Sequence, residues 1–217
     1  MDISCNYLEW KNYESQDWAV ENASIETYRD GTLIPQITDA TEWSNLTTGA
    51  WCYFDNDPNK GVFYNWYAVI GVHEAASLSN LTLRKEFAPE GWHVPSDAEW
   101  TTLKNYLIAN GYNYDDTTLG DKIAKAMSST TGWDIKTNQG SIGNDQSLNN
   151  RSGFNAFPEG FRTNDGSFYN ESVSAIFWSS SESSGNAWYR SLHANYSDLN
   201  RFYNNLQYGL SVRVVRD

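Results

Sequence analysis

One stretch of the sequence carries a complete helix signal, and its near-isolation constrains the fold more than any other feature. In Val94-Pro95-Ser96-Asp97-Ala98-Glu99-Trp100, Ser96 and Glu99 stand three apart as a capping box, and Trp100, Leu103, Tyr106 and Leu107 supply one apolar face. This predicts a helix over 97–109 that ends near Gly111. A weaker periodicity in Leu119, Ile123 and Met127 predicts a second helix over 118–128. Elsewhere the apolar residues come in short aromatic runs broken by turn residues. Trp51-Cys52-Tyr53-Phe54 reads as a strand stopped by Asp55-Asn56-Asp57-Pro58-Asn59, and Tyr28-Arg29-Asp30-Gly31-Thr32 offers a hairpin-type turn. Phe63 to Ile70 is the most apolar stretch and reads as buried. Ten Trp, fourteen Tyr and nine Phe in a chain only 19% charged favour short strands and binding faces over long helices. No internal repeat and no linker divides the chain. Residues 15–217 are therefore read as one domain after an irregular segment 1–14.

The last forty residues are the most distinctive. Phe177-Trp178-Ser179-Ser180-Ser181-Glu182 and the terminal Leu210-Ser211-Val212-Arg213-Val214-Val215-Arg216-Asp217 read as strands, the second alternating Leu210, Val212 and Val214 against Ser211, Arg213 and Val215. Between them, residues 183–208 hold five Asn, four Tyr and four Ser, with only Arg190, Arg201 and Asp198 for charge. Tyrosine gives large contact area for few frozen torsions, and Asn and Ser bond either way without a charge to desolvate. Long polar loops also select Asn and Ser for turn geometry, so composition leaves a recognition surface and a plain loop both open.

The formal charge of −12 lies outside this region, since residues 183–217 carry four Arg against two Asp. An acidic chain without a basic face is a poor nucleic-acid binder. No run of eighteen apolar residues and no secretory leader appears in the sequence, so direct membrane insertion is not expected. Cys5 and Cys52 have no zinc-type spacing, and one disulfide or two free thiols are both open. Asp55, Asp57 and Asn59 resemble the opening of a calcium loop, but Gly61 falls one place late and Trp66 stands where a bidentate Glu is needed, so a plain turn is expected. His73, His93 and His193 lack metal-type spacing, and no GxSxG turn or phosphate-cradling loop is present. Neither a cofactor nor an enzymatic activity is expected. From Gly132 to Ser152 the chain is a long Gly-, Asn- and Ser-rich loop.

The order of motifs resembles a known family. Gln16-Asp17-Trp18, Tyr28-Arg29-Asp30-Gly31, Trp51-Cys52-Tyr53, Tyr64-Asn65-Trp66-Tyr67-Ala68, Gly91-Trp92-His93-Val94-Pro95-Ser96-Asp97-Ala98-Glu99-Trp100, Gly153-Phe154-Asn155-Ala156, Trp178-Ser179-Ser180-Ser181-Glu182 and Ser211-Val212-Arg213 together resemble the Fibrobacter succinogenes major paralogous domain, from about residue 15 to 217. The resemblance implies an α+β chain with a C-type lectin-like fold, in the branch of the formylglycine-generating enzymes. It further implies paired terminal strands, two helices, small antiparallel sheets, and a place in secreted or cell-surface proteins of Bacteroidetes-type bacteria or in phage virions. Many members have Cys where this chain has Ala88 and Val214, which implies a cysteine pair lost together. The copper-binding cysteines of the formylglycine-generating enzymes are missing, because no Cys follows Cys52. The calcium and sugar signatures of the sugar-binding lectins are missing too.

The segment is also similar to the variable proteins of diversity-generating retroelements, in which adenine mutagenesis turns Asn codons into a restricted set of residues. All eighteen residues from Tyr189 to Leu206 belong to that set, and the exceptions Trp188 and Gln207 sit at the margins. The leading expectation is a ligand-binding module that contacts a macromolecular, protein partner through Tyr189, Ser191, His193, Asn195, Tyr196, Asp198, Asn200, Phe202, Tyr203 and Asn204. Trp188, Leu192, Leu199 and Arg201 are expected to hold the segment to the scaffold. The alternatives are a structural cell-envelope domain without a variable face and, third, a formylglycine-generating type of enzyme.

Overall fold

The computed structural model describes residues 8–217, so Cys5 lies outside the described residues. Among these residues eleven short strands, five α-helices and three single 3-10 turns alternate with irregular chain. The strands and α-helices are β1 (Trp10–Tyr13), β2 (Gln16–Ala19), α1 (Ala40–Ser44), β3 (Trp51–Tyr53), β4 (Val62–Tyr64), α2 (Trp66–Val69), α3 (Ala75–Ser79), β5 (Trp92–His93), α4 (Asp97–Ala109), α5 (Ala124–Met127), β6 (Phe161–Arg162), β7 (Phe168–Tyr169), β8 (Ser174–Ser183), β9 (Asn186–His193), β10 (Asn200–Asn204) and β11 (Val215–Arg216). The sheets are small, in the orders β1-β2-β11-β5, β10-β9-β8, β3-β4 and β6-β7, and every pairing of named strands is antiparallel.

The helix predicted over 97–109 forms over those residues. Ser96 Oγ accepts from Glu99 N at 3.3 Å, and Glu99 Oε2 accepts from Ser96 N at 2.7 Å, so two orphan donors of the first turn are satisfied. Trp100, Leu103 and Leu107 are buried, while Tyr106 packs partly buried beside them. Gly111, at φ +72°, ends the helix, with Tyr112 N donating to Leu107 O. The second helix is shorter than predicted, only Ala124–Met127. Ile123 and Met127 are buried, but Leu119 is 79% exposed. Gly120 has φ +72°, and the buried Asn113 takes the backbone groups of Leu119, Gly120 and Lys122 that a longer helix would have used.

Several further elements were not anticipated, among them α1, α2, α3 and β1. Asp39 caps α1 by accepting from Glu42 N, and Asn65 caps α2 by accepting from Ala68 N inside the expected buried stretch. Residues 10–13, expected to be irregular, form β1 on β2 across a turn in which Glu14 has φ 60°. The 132–152 loop is held by many bonds. Lys125 Nζ donates to the carbonyls of Ser141, Asn144 and Asp145, Asn149 bonds Ser129 O and Ile142 O, and Trp133 and Ile142 are buried.

Strand β8 separates the two largest hydrophobic clusters. Its residues Ala175 and Phe177 enter one cluster, with Trp18, Trp100 and Phe154, while Ile176 and Trp178 enter the other, with Tyr64, Trp66 and Leu210. The C-terminal stretch runs through the same region. Gly209 bridges Arg162, Leu210 bridges Tyr64, Ser211 bridges Phe177, and Val215 pairs with both Trp18 and His93. The alternation expected over 210–215 is absent, since all six residues are buried. Covered on both sides, this segment has no solvent face to alternate with. Arg213 is 1% exposed and donates to Ala19 O, Phe154 O, Asn155 O and Asn22 Oδ1, which engages four of its five N–H donors in the core. Ala88 and Val214, where the resemblance implies a lost cysteine pair, lie in one small buried cluster with Ala19.

Candidate ligand-binding face

Residues 183–208 form mostly strand. Ser184 and Gly185, at φ 50° and 81°, make a two-residue turn that pairs Ser183 with Asn186 and starts the β8–β9 hairpin. Strand β9 then pairs with β10, Tyr189 opposite Phe202, Arg190 opposite Arg201 and Ser191 opposite Asn200. The 194–199 connection is anchored at both ends, because Gly143 N donates to Ala194 O, Ile142 N to Tyr196 O, and Ala124 N to Ser197 O.

Cross-strand partners share a face, and the face alternates along each strand. Tyr189, Ser191, His193, Asn200, Phe202 and Asn204, six of the ten expected contact residues, therefore fall on one face of the β9–β10 hairpin. Tyr203 falls on the opposite face with Trp188, Arg190 and Arg201, while Asn195, Tyr196 and Asp198 lie in the connection. Tyr196, Phe202 and Tyr203 are each about half exposed, at 54%, 51% and 58%. Tyr189 sits lower, partly buried against the second cluster, with Trp178 at 6.2 Å and Phe202 at 6.0 Å between ring centres. Burial pushes its hydroxyl pKa up. His193 stacks near Tyr196 at 4.9 Å, and partial burial holds its pKa down.

The opposite face is fastened to α4. Arg190, 1% exposed, donates from Nη1 to Asp97 Oδ1 at 2.7 Å and from Nη2 to Asp97 O and Thr101 Oγ1. Arg201 bonds the same carboxylate through Nε and Nη2 at 2.8–3.1 Å, and its guanidinium lies 3.3 Å from the Trp188 ring centre. Trp188 in turn meets Tyr203 edge-on at 5.4 Å. Burial alone would raise the Asp97 pKa, but the bonds from Arg201 and Arg190 outweigh it and hold the carboxyl below its usual range. Leu192 and Leu199 are buried and Arg201 reaches Asp97, so three of the four residues expected to fasten the segment make scaffold contacts, whereas the Trp188 ring meets Arg201 and Tyr203 within the segment itself.

A hollow of about 180 Å³ opens beside the first face, walled by Phe161, Ile176, Tyr189, Asn204 and Tyr208. Phe161 and Tyr208 stack with planes 14° apart. Sequence reasoning missed Phe161 and the anchoring role of Asp97. Each comes from a segment far from the hairpin, and no local signal links them to it. A larger hollow of about 570 Å³ lies elsewhere, near Arg29, Asp30, His73, Arg84 and Lys85. Its cations are engaged: Lys85 bonds Asp30, Arg29 bonds the carbonyls of Ala88, Pro89 and Trp92, and Arg84 bonds those of Ser77 and Leu78. We therefore place the candidate site at the hairpin.

His93 sits between two carboxylates, with Nδ1 2.8 Å from Asp217 and Nε2 2.7 Å from Glu99. That contact joins β5, α4 and the segment after β11. The Cys52 thiol is buried, and burial pushes its pKa up to about 11, which leaves it a poor nucleophile. Asp57 closes the 55–59 turn by accepting from Asn59 N and Nδ2, and Lys60 bridges to Glu171. Among the described residues no cluster of His, Cys, Asp or Glu is arranged to hold a metal ion.

Fold and site thus define a mixed helix and strand domain of small antiparallel sheets that carries a half-exposed aromatic and amide hairpin. The sequence model of the Fibrobacter succinogenes major domain matches residues 12–216. The chain belongs to that family. No curated protein and no solved structure matches it.

Proposed function

We propose that the chain is a ligand-binding and adhesion module with a C-type lectin-like fold. It displays the β9–β10 hairpin to a protein partner on a microbial surface, from a secreted or cell-surface protein or a phage virion. The observation that carries this reading is the division of labour among the residues of the hairpin and its connection. Arg190, Arg201, Leu192 and Leu199 fasten it, while Tyr196, Phe202 and Tyr203 stay half exposed beside neutral Asn and Ser. Aromatic area with neutral hydrogen-bonding groups is the mixture that binding loops use, and a surface fastened from behind can change its side chains at small expense to the core. The pairing of β2 with β11, near the two ends of the described chain, supports the lectin-like reading.

The residue set from Tyr189 to Leu206 supports diversification by a retroelement. That part is tested on the coding DNA. A near-copy of the region for residues 183–208 should lie close by, next to a reverse transcriptase, and differ only where the template has adenine. Differences at all four bases, or no copy, would remove the retroelement claim. The binding claim is tested with fluorescently labelled protein on a panel of bacterial cells. The native chain should coat at least one strain, and the variant Tyr196→Ala, Phe202→Ala, Asn204→Ala should not. Equal coating by both would sink it.

A further inference from the structure

The sheet β10-β9-β8 ends at β10, and the phase of its ladder can be read from the far side of β8. There Trp178 N donates to Ser211 O and Ser211 N donates to Ile176 O, so the even-numbered residues of β8 turn their backbone groups away from β9. Ala175 and Phe177 then bond Leu192 and Arg190, and Tyr189 and Ser191 are left to bond Phe202 and Asn200 of β10. Arg201 and Tyr203 are consequently the β10 residues whose N–H and C=O point out of the sheet. Among the described residues these four groups have no backbone partner. No Pro, Lys or bulge blunts this edge, and Phe202 and Tyr203 flank it from opposite faces, both about half exposed.

We infer that β10 is a strand-addition site, which takes an extended peptide segment of a partner protein along the edge formed by Arg201 and Tyr203. The inference rests on the binding role proposed for this hairpin and specifies its partner. A second copy of the chain fits poorly. Five residues span only about 17 Å, which leaves most of the roughly 1,200 Å² of a stable association to be found elsewhere. Two chains of formal charge −12 also repel. Local charge favours a different occupant. Arg190 and Arg201 share the single carboxylate of Asp97, so one positive charge is left at the edge. Arg201 Nη1 has no protein partner among the described residues. The matching segment places an acidic residue beside Arg201 and an apolar one beside Phe202. Main-chain bonds of this kind do not depend on the side chains of the face, so they would persist through changes at Asn200, Phe202 or Asn204.

The probe is a synthetic seven-residue peptide of alternating valine and threonine with one central glutamate, titrated into ¹⁵N-labelled protein. The Arg201 and Tyr203 amides should shift and exchange at least about tenfold more slowly with peptide, whereas the Phe202 amide is protected from the start. Tyr203→Pro deletes one outward N–H and no ladder bond, and Tyr203→Val removes the ring but keeps the N–H. The proline variant should bind the peptide at least about tenfold more weakly than the valine variant, a loss of about 1.4 kcal/mol. A peptide N-methylated at alternate residues, in either phase, should bind the native chain less well than the plain peptide in the phase that blocks its edge. Absence of peptide binding, equal affinity of the proline and valine variants, or indifference to N-methylation in both phases would overturn the inference. If Phe202→Ala weakens binding and Tyr203→Pro matches Tyr203→Val, the face binds by side chains alone, which ends strand addition and leaves the binding role standing.

Discussion

Asp97→Ala is the substitution that most directly tests whether the hairpin is held from beneath. Its carboxylate takes one bond from Arg190, whose side chain is 1% exposed, and three contacts from Arg201, whose side chain is 44% exposed. Removing one partner of a buried pair strands the other charge and costs about 3–5 kcal/mol. Arg190 keeps its bonds to the residue 97 carbonyl and Thr101 Oγ1, which places the loss near the lower end of that range. Asp97 also opens α4, and losing an acid from a first turn adds about 0.3–1 kcal/mol. The sum is about 3–4 kcal/mol. Arg201→Ala removes a half-exposed ion pair worth about 0.2–1 kcal/mol and a cation–π contact worth about 0.5–1 kcal/mol, so about 1–2 kcal/mol is expected. Urea unfolding followed by tryptophan fluorescence gives both values, and a double-mutant cycle isolates their coupling. Acid provides an internal control. Because the folded carboxyl is held below its usual range, its stabilisation is present above the unfolded value near pH 4 and is lost as pH falls through the lower folded value. Asp97→Ala should flatten that acid limb. If Asp97→Ala costs no more than Arg201→Ala, the buried Arg190 does not depend on this carboxylate and the hairpin is held by something else.

Trp100→Ala should cost about 3 kcal/mol by the same assay, the low end for a buried Trp, since its Nε1 has no partner among the described residues and its removal relieves an orphan donor. The triple variant Tyr196→Ala, Phe202→Ala, Asn204→Ala should cost only about 1–2 kcal/mol, because both rings are already half exposed, and a loss equal to that of Trp100→Ala would make the face part of the core. His93 can donate to both carboxylates only when doubly protonated. Although burial alone would lower its pKa, the bonds it donates to Glu99 and Asp217 win and raise it, so their stabilisation is complete below about pH 6.5 and declines as pH rises through the raised folded value. His93→Gln should abolish that decline, and an unchanged slope would exclude the trio as its source. Cell coating by the native chain should survive chelator and fall only gently across a salt series, as expected of aromatic and neutral contacts, whereas collapse in either condition would refute that account.

What could be read from the sequence was local. The capping box of Ser96 and Glu99 needs only neighbours in the chain, and α4 follows it residue by residue. The Asn- and Tyr-rich composition of residues 183–208 left a recognition surface and a plain loop both open, whereas the fastening roles of Leu192, Leu199 and Arg201 were anticipated. Strand pairing was not visible, because the register that groups Tyr189 with Phe202 and sends Tyr203 to the other face depends on partners elsewhere in the chain. The alternation expected at 210–215 failed for the same reason, since coverage from both sides erases the pattern. Asp97 shows the limit well. It reads as a first-turn acid of a capped helix, and nothing nearby announces that two arginines about a hundred residues later converge on it.

The course of residues 209–216 also bears on when the chain can fold. This segment bonds β2, β4, β5, β6 and β8, so elements made across the whole length of the chain wait for it. On a ribosome that adds about 5–20 residues each second, the aromatic walls around Trp18, Tyr64 and Phe177 are synthesised well before the strip that closes them. Until that strip leaves the exit tunnel the nascent polypeptide holds an open cleft lined with tryptophan and phenylalanine, the kind of surface that chaperones shield. Yield of native protein should therefore respond more to a stall or a rare codon run just before the codons for residues 209–216 than to one just before those for β1 and β2.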